Sequence, residues 1–487
     1  MSDNSTNQVL GSVTPVIENL ELLTRTGEEI NLVPQLRELV IYEDMYSPVL
    51  TGSITLEDNI QLFDRLPIIG FERLRVKVYS YNYSSTLNEK VDFLHRTFDI
   101  ISVTDITQVN DYTKLITLNF ASPELLKNDS TRLSKGLRNL SNSKAVELVL
   151  TEDYEYGEGL GIQSSKIYDG YYNNFVSPYM YSSFIECRYE ITNEDDSYEL
   201  FIEKTKYTEP VISFPYMKPF DIVSWLSGRS IRMAQGEKPS TKSAAFLFFE
   251  NKRGFNFVSL DTLLEAKAYN TTDFVYGDAN QNLTKNRNTK SESIINLQIQ
   301  DAYNTVENIR NGLYASRMYS FDISTGQMRE QDYSFKDKFP EFTTMEKNPT
   351  LPLEQTLTDR PLSHRILTYN TGNSANNITS SSTARLQPSN KENGPEEYIQ
   401  NRLMQLGKIG NYVISFEVAG NSKHKVGDCV NIDINTTQPT PDNSYKSVPN
   451  LFYSGYYLLT SIKHSITPSQ YTMYIEATKD SHNEEIV

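Results

Sequence analysis

Five imidazoles and two thiols are the side chains best suited to metal binding or nucleophilic chemistry in this sequence. They are His95, His364, His424, His464 and His482, with Cys187 and Cys429. Local metal sites bring ligands together by spacing, two apart on a strand or about four apart on a helix. No two histidines stand two or four positions apart, and neither Cys-x-x-Cys nor His-Glu-x-x-His occurs. A dedicated zinc site is therefore not expected. His424 and His464 are placed to approach each other on neighbouring C-terminal strands. For all five, an imidazole held by a hydrogen bond or left at the surface is the favoured reading over a ligand.

Phosphate and acyl-transfer chemistry have equally little to work with. There is no Gly-x-x-x-x-Gly-Lys-Ser/Thr loop and no Gly-x-Ser-x-Gly elbow, and neither cysteine sits in a recognisable catalytic context. Gly157-Glu158-Gly159-Leu160-Gly161 is only loosely like a dinucleotide fingerprint. It lacks the final glycine spacing, and it follows Glu152-Asp153-Tyr154-Glu155, which would repel a pyrophosphate. Carboxylates are abundant, but no pair stands out as a glycosidase dyad. The tyrosines Tyr168, Tyr171, Tyr172, Tyr179 and Tyr181 could stack on sugar; packing against protein is the reading preferred. No catalytic, cofactor-binding or metal-ligating residue is assigned. The chain is expected to be no enzyme and to carry no cofactor.

Composition narrows the classes further. Lys and Arg total 46 against 62 Asp and Glu, a formal charge of -16. Binding to nucleic acid or an anionic membrane relies on clustered cations that release counterions, so that balance argues against both. It is compatible with a partner that must slide past a polyanion without sticking. Two cysteines cannot frame a chain of 487 residues, which implies free thiols and a reducing compartment. The first thirty residues have neither a basic start nor an apolar run, so a signal peptide is not expected. No stretch approaches eighteen apolar residues, so no membrane span is expected either. At about 100–200 residues per domain the length points to three or so domains. Thirty-two tyrosines against one tryptophan suit half-buried strand faces and protein interfaces.

The elements that would carry such surfaces are mostly strands. Leu36–Glu43, Ser53–Asp58, Leu74–Tyr79, Phe98–Val103 and Lys114–Phe120 alternate apolar and polar residues between turn signals, the pattern of an antiparallel sandwich or barrel. In the third, Leu74, Val76 and Val78 should face inward, with Arg75 and Lys77 turned outward to a neighbouring copy's carboxylates. Past Ala121 the period changes. Ser122-Pro123-Glu124 reads as an N-cap followed by a helix-opening proline. Helices are predicted over about Asn142–Glu152 and from Pro219, with Ile222, Val223 and Leu226 on one face. Phe246–Glu250 and Phe255–Leu260 form a strand pair across the turn Asn251-Lys252-Arg253-Gly254. Residues 291–312 fit helix or strand equally. The Asn/Ser/Thr run Thr371–Thr383 has little to bury and reads as a mobile loop. Pro395 opens a helix whose Ile399, Leu403 and Leu406 share a face. Tyr412–Val418, Cys429–Ile434, Tyr456–Ile462 and Tyr471–Ala477 are again strands.

Several of these stretches, in this order, resemble one family. Val40-Ile41-Tyr42-Glu43-Asp44-Met45-Tyr46-Ser47-Pro48-Val49-Leu50-Thr51-Gly52-Ser53-Ile54 looks like an opening hairpin, and Leu66-Pro67-Ile68-Ile69-Gly70-Phe71-Glu72 like the loop after it. Lys218-Pro219-Phe220-Asp221 through Trp225-Leu226, and Phe248-Phe249-Glu250-Asn251-Lys252-Arg253-Gly254-Phe255-Asn256-Phe257, look like a middle region. Val426-Gly427-Asp428-Cys429-Val430 and Ser454-Gly455-Tyr456 through Ile462-Lys463-His464 look like closing strands. Together they resemble the baseplate hub proteins of T4-type contractile phage tails, tube-to-spike adaptors related in fold to the N-terminal part of the VgrG spike.

The resemblance implies a β-rich α+β multidomain chain. Two tail-tube-like antiparallel β-barrel domains, residues 1–121 and 398–487, would flank a mixed α/β middle. That middle would comprise 122–290, with a Tyr-rich insertion at 154–181, and a connecting region 291–397, with a flexible loop at 371–396. It further implies a homotrimer whose six tube-like modules match a six-fold tail tube above and a three-fold central spike below. Expected partners are the central spike protein, tail tube or tube-initiator proteins and the surrounding baseplate wedge proteins. DNA would pass through the lumen without specific binding, and nothing would insert into a membrane. The place implied is the virion tail baseplate, after assembly in the host cytoplasm. The alternatives are a tail-associated cell-wall hydrolase and a receptor- or glycan-binding tail protein.

Overall fold

The computed structural model describes residues 15–25, 27–59, 61–65, 68–70, 72–82, 89–152, 157–162, 166–170, 199–206, 208–233, 243–266, 273–276, 293–301, 304–322, 327–349, 364–370, 395–421, 424–439 and 445–482. Most of the Tyr-rich insertion, the loop 371–394 and Cys187 lie outside them.

The alternating N-terminal runs fold as strands because each has one apolar face to cover. They are β1 (Val16–Leu23), β2 (Glu29–Asn31), β3 (Leu36–Asp44), β4 (Thr51–Asp58), β5 (Arg73–Asn82), β6 (Glu89–Asn110) and β7 (Thr113–Ala121). The middle of the chain supplies β8 (Leu133–Ser141), β9 (Lys166–Gly170), β10 (Glu199–Glu203), β11 (Thr208–Met217), β12 (Phe246–Asn251), β13 (Gly254–Ser259) and β14 (Asp273–Tyr276). It continues with β15 (Ile294–Asp301), β16 (Ala315–Asp322), β17 (Gln327–Ser334), β18 (Asn348–Pro349) and β19 (Arg365–Asn370). The last stretch gives β20 (Tyr412–Ala419), β21 (Cys429–Pro439), β22 (Tyr445–Pro449), β23 (Gly455–Ile466), β24 (Tyr471–Lys479) and β25 (Ser481–His482).

The largest sheet runs β15-β20-β24-β23-β3-β4-β7-β6-β5-β1-β2, with β21 beside β23 and both β14 and β22 beside β21. Its seam is the antiparallel pairing of Leu39–Asp44 with Ser461–Ile466. The N-terminal and C-terminal strand sets are therefore neighbours in one sheet, and at its β15 end β14 comes alongside again through the Val275–Ser293 bridge. Behind it lies an apolar core that includes Leu39, Ile41, Ile54, Phe98, Phe120, Ile414, Phe416, Ile462 and Ile475. A second core gathers Val146, Val149, Phe214, Ile222, Val223, Leu226, Phe246 and Phe257, where the sheet β12-β13-β10-β9 packs with two helices. No helix among the described residues is long and apolar enough to cross a membrane.

Leu74, Val76 and Val78 point inward and are buried, as their alternation requires. Arg75 and Lys77 point outward but meet carboxylates of their own chain. Arg75 lies 3.1 Å from Glu21 and 3.5 Å from Glu29, and Lys77 lies 3.5 Å from Glu18. The reason is β1, which runs antiparallel beside β5 and aligns Glu21 with Arg75.

The helix Asn142–Thr151 is capped by Ser141, whose hydroxyl accepts from the Lys144 amide, and its Val146, Val149 and Leu150 are buried. The helix Pro219–Ser227 buries Ile222, Val223 and Leu226 as expected. Residues 291–312 contain both candidates: β15, then the helix Thr305–Arg310, capped by Asn304. Two local expectations are corrected. Ser122 does not cap the next helix with its side chain; it donates to Glu250 at 2.6 Å, a partner unreadable from neighbouring residues. The helix Ile399–Ile409 buries Gln400, Asn401, Met404, Gln405, Lys408 and Ile409, while Leu403 is exposed and Ile399 and Leu406 are half-buried. Its inward face is polar because it serves the backbone groups described below.

Candidate functional site

One broad surface is built from all parts of the large sheet. Side chains on a strand alternate faces, and cross-strand register aligns those on one face into rows. The outward row of β6, β7 and β4 reads Ser102, Asn119 and Ser53, and the next Thr104, Thr117 and Thr55. On β3 the corresponding residues are Glu38, Val40 and Tyr42, with Tyr42 beside Thr51. The rows continue through the seam to Ser461, Lys463 and Ser465 on β23, and to Thr472, Tyr474 and Glu476 on β24. Ser415 and Glu417 on β20 and Asn296 and Gln298 on β15 complete them.

This face is paved with hydroxyls and amides, many tied laterally. Asn119 donates to Ser102 at 2.9 Å and to Thr104 at 3.2 Å, and the Thr55 and Thr117 hydroxyls lie 3.2 Å apart. Ser465 donates to Glu38 at 2.6 Å, and Asn296 to Glu417 at 2.8 Å. Among the described residues the cations of these rows are Lys463, laid over the Tyr474 ring at 5.4 Å, and at the margin Arg37, paired with Glu57; the same face continues onto β5 with Arg73, Arg75 and Lys77, each set against a carboxylate. Acids outnumber them: Glu38, Asp44, Glu57, Glu417 and Glu476, with Asp99, Glu18 and Glu21 beside the β5 cations. Such a surface offers a phosphate mostly cations that already face carboxylates of this chain, which weakens both counterion release and a bidentate grip.

Buried ionic joints hold the rows in place from behind. Glu43 on β3 and His464 on β23 meet at 3.2 Å across the seam, and both are buried. The Val426 amide donates to the other Glu43 oxygen at 3.0 Å, and His464 Nδ1 lies 2.9 Å from the Tyr471 hydroxyl. Burial alone would raise the Glu43 carboxyl; the His464 contact, Lys252 and the Val426 amide outweigh it and hold it below its ordinary value. Burial draws His464 below its ordinary value. A neutral imidazole donating from Nε2 to Glu43 and accepting from Tyr471 at Nδ1 fits both.

A second joint fixes the middle region to the sheet. Arg96 on β6 pairs with Glu250 on β12, both buried. Glu250 also accepts from the Leu50 amide at 2.7 Å and the Ser122 hydroxyl, while Arg96 reaches the Asn251 and Lys252 carbonyls at 3.3 Å. Glu124 is buried nearby with one carboxyl oxygen unbonded. Burial, then the Glu250 charge, push it up to about 7. The third joint is the polar helix face. Gln405 accepts from the Ala244 and Ala245 amides at 2.9 and 3.2 Å and donates to Asp261 at 2.8 Å. Lys408 lies 3.0 Å from Asp480, and Arg402 donates to the Phe246 carbonyl at 2.9 Å. Buried polar groups demand such partners, which is why this helix turns its glutamines and lysine inward.

The residues singled out for chemistry are dispersed. His95 is half-buried on β6 beside Lys77 of β5, and His364 faces the Arg310 carbonyl at 2.9 Å. His424 packs its ring 5.0 Å from Phe274, whereas His464 turns to Glu43. His482 stacks on Phe452 at 4.5 Å, and burial takes it down to about 4. Cys429 is buried, with Sγ 3.3 Å from the Leu263 carbonyl. The Gly157–Gly161 turn closes the preceding helix: the Leu160, Gly161 and Ile162 amides bond the Val149, Glu152 and Leu150 carbonyls. A Cβ on Gly159 would sit 2.6 Å from the Glu152 carbonyl oxygen, so these glycines answer a helix end. No group of three or more His, Cys, Asp or Glu among the described residues is arranged to hold a metal ion. The Ser/Thr rows and the joints join residues distant in the sequence, whose one local signal is the small polar residue at alternate strand positions.

No protein-family model matches the chain, and no curated protein matches it in sequence. Solved structures similar to it include a tail protein from Neisseria meningitidis MC58, 9% identical with a TM-score of 0.46, over 95% of this chain and 96% of that one. Another is the 43 kDa tail protein of prophage MuSo2 from Shewanella oneidensis, 9% identical with a TM-score of 0.46, over 95% and 98%. The Francisella PdpA–VgrG complex in its half-lidded form is 9% identical with a TM-score of 0.40, over 99% and 60%.

Proposed function

We propose that this chain is the central baseplate hub of a contractile phage tail, a structural part and not an enzyme. Three copies form a hollow ring between a six-fold tail tube and a three-fold spike. The strand sets of 1–121 and 398–487 act as two tube-like barrel modules, so that three chains present six. The partners are the spike protein, tube or tube-initiator proteins and the baseplate wedge, and DNA passes through the centre on ejection.

The observation that carries this reading is the continuous face of small hydroxyls, amides and acids running from β6 through the β3–β23 seam to β15. A conduit for DNA needs a wall whose cations are matched by carboxylates, since bound phosphate would arrest transit. The order of hairpin, middle-region and closing-strand motifs along the chain supports the same reading, as does the joining of both strand sets in one sheet. Multi-angle light scattering of the purified chain is expected to return three copies. Electron microscopy of the particle should place them on the tail axis between tube and spike. A monomer at every concentration, or an off-axis position, would sink the proposal.

A further inference from the structure

Independently of how many copies assemble, we infer that Glu124 is a proton-operated latch between the middle region and the large sheet, closed while its carboxyl carries a proton and loosened once the proton leaves. The helix Glu124–Ser130 touches both parts. Just before it, Ser122 donates its hydroxyl to Glu250 of β12 at 2.6 Å and its amide to the Leu50 carbonyl at 3.0 Å, while the Leu50 amide donates to Glu250 at 2.7 Å. Further along, Asn128 accepts from the Phe220 amide at 2.8 Å and Asp129 from Lys218 at 2.6 Å, at the head of the helix Pro219–Ser227 in the second core. One short helix therefore carries both the contact with β12 and the hold on that core.

Glu124 sits between these contacts, 5% exposed, with its Oε2 lacking a hydrogen-bond partner. Facing its carboxyl are Glu250 from β12, Arg96 from β6 and Lys127 on its own helix, 4.0 Å away. Lys127 in turn faces Asp99 of β6, which pairs with Arg73 of β5 at 3.3 Å. Arg96 is committed to Glu250 and to the carbonyls of Asn251 and Lys252, whereas Lys127 lies partly in solvent. The joint thus matches one buried anion with one buried cation, and a second buried anion has no such counterpart. Two carboxylates in one buried site repel when both are ionised, so the proton stays on Glu124 until the pH nears about 7. Once it leaves, repulsion is relieved by moving the helix start toward water. That movement draws Ser122, two residues earlier, away from Glu250 and slackens the Asn128 hold on Phe220.

Amide hydrogen exchange on the full chain reads the opening, with each rate compared to its intrinsic value at the same pH. Between pH 6 and pH 8.5 the wild-type Leu50 and Phe220 amides are expected to lose about tenfold in protection. Both should exchange faster than the Ile475 amide of β24, held in the ladder between β20 and β23, because the joint opens without the sheet unfolding. Glu124→Gln, checked for folding by circular dichroism, should keep a protection that does not fall over this interval. Lys127→Gln leaves the carboxyl in place and removes a cation that favours its ionised form, so the fall should move to higher pH. That second variant alters a partly exposed side chain and decides the matter even where Glu124→Gln does not fold. Wild-type protection that stays constant, an equal fall in Glu124→Gln, a fall unmoved by Lys127→Gln, or exchange no faster than at Ile475 would each overturn the latch while leaving the hub reading untouched.

Discussion

Glu43 and His464 lie 421 residues apart in sequence and 3.2 Å apart in space, buried where β3 meets β23. Both groups have folded-state proton affinities below their ordinary values. The unfolded chain therefore binds more protons, first on His464 below about pH 6.5 and then on Glu43 below about pH 4.5, and stability from the pair rises with pH across both intervals. Wild-type protein should exceed the Glu43→Gln/His464→Gln variant by about 1.5–3 kcal/mol at pH 7.5. That margin should shrink as the pH falls below about 6.5, as read from denaturant unfolding at pH 7.5, 6 and 5. A margin constant with pH would contradict the assignment.

Glu124 beside the Arg96–Glu250 pair has the opposite sign. Its folded value of about 7 lies above the unfolded one, so its contribution is intact at low pH and is lost as pH rises toward 7 and beyond. Glu124→Gln removes this liability. The variant should match wild type near pH 5 and exceed it by up to about 3 kcal/mol at pH 8.5. Chemical denaturation at the two pH values measures the difference, and a variant weaker at pH 8.5 would count against the reading.

Gly420 is held against Tyr471: a Cβ there would lie 2.0 Å from the ring, and the Gly420 amide bonds the Tyr471 carbonyl at 2.8 Å. Gly420→Ala must push the ring away, and with it the hydroxyl that contacts His464. Overpacking of this kind costs about 1–3 kcal/mol. A thermal melt should show the loss, and the pH dependence of the Glu43–His464 pair should weaken in the same variant.

The polar face invites a gain-of-binding experiment. Ser53, Ser415 and Ser461 are half-buried on its outward rows, so Ser53→Lys/Ser415→Lys/Ser461→Lys adds three cations without opening the core. Each substitution on this outward face should change stability by no more than about 0.5 kcal/mol. Wild-type chain should not retain duplex DNA in a filter assay at 50 mM salt, whereas the variant should retain it and release it toward 200 mM. Retention by wild type would undermine the conduit.

Much of the fold was legible because its information is local. Leu74, Val76 and Val78 announce a buried strand face by alternation, and the apolar residues Ala145, Val146, Val149 and Leu150 announce the helix that buries them. The helix Ile399–Ile409 differs from its pattern because its apolar residues suggest one inward face, while the amides of Ala244 and Ala245 and the carboxyls of Asp261 and Asp480 demand another. Nothing near residue 405 in the chain indicates those partners. Arg75 and Lys77 were expected to seek another copy, since Glu18, Glu21 and Glu29 become neighbours only when β1 pairs with β5.

By itself the sequence determined the strands, the principal helices, the acidic character and the lack of local metal or nucleophile motifs. Each follows from periodicity, spacing or summed charge. The tertiary structure alone decided that both ends of the chain share one sheet, that Ser53 and Ser461 belong to one surface, and which buried charges face each other. Those relations are set by strand register between distant segments, where a shift of one residue would send every side chain to the other face.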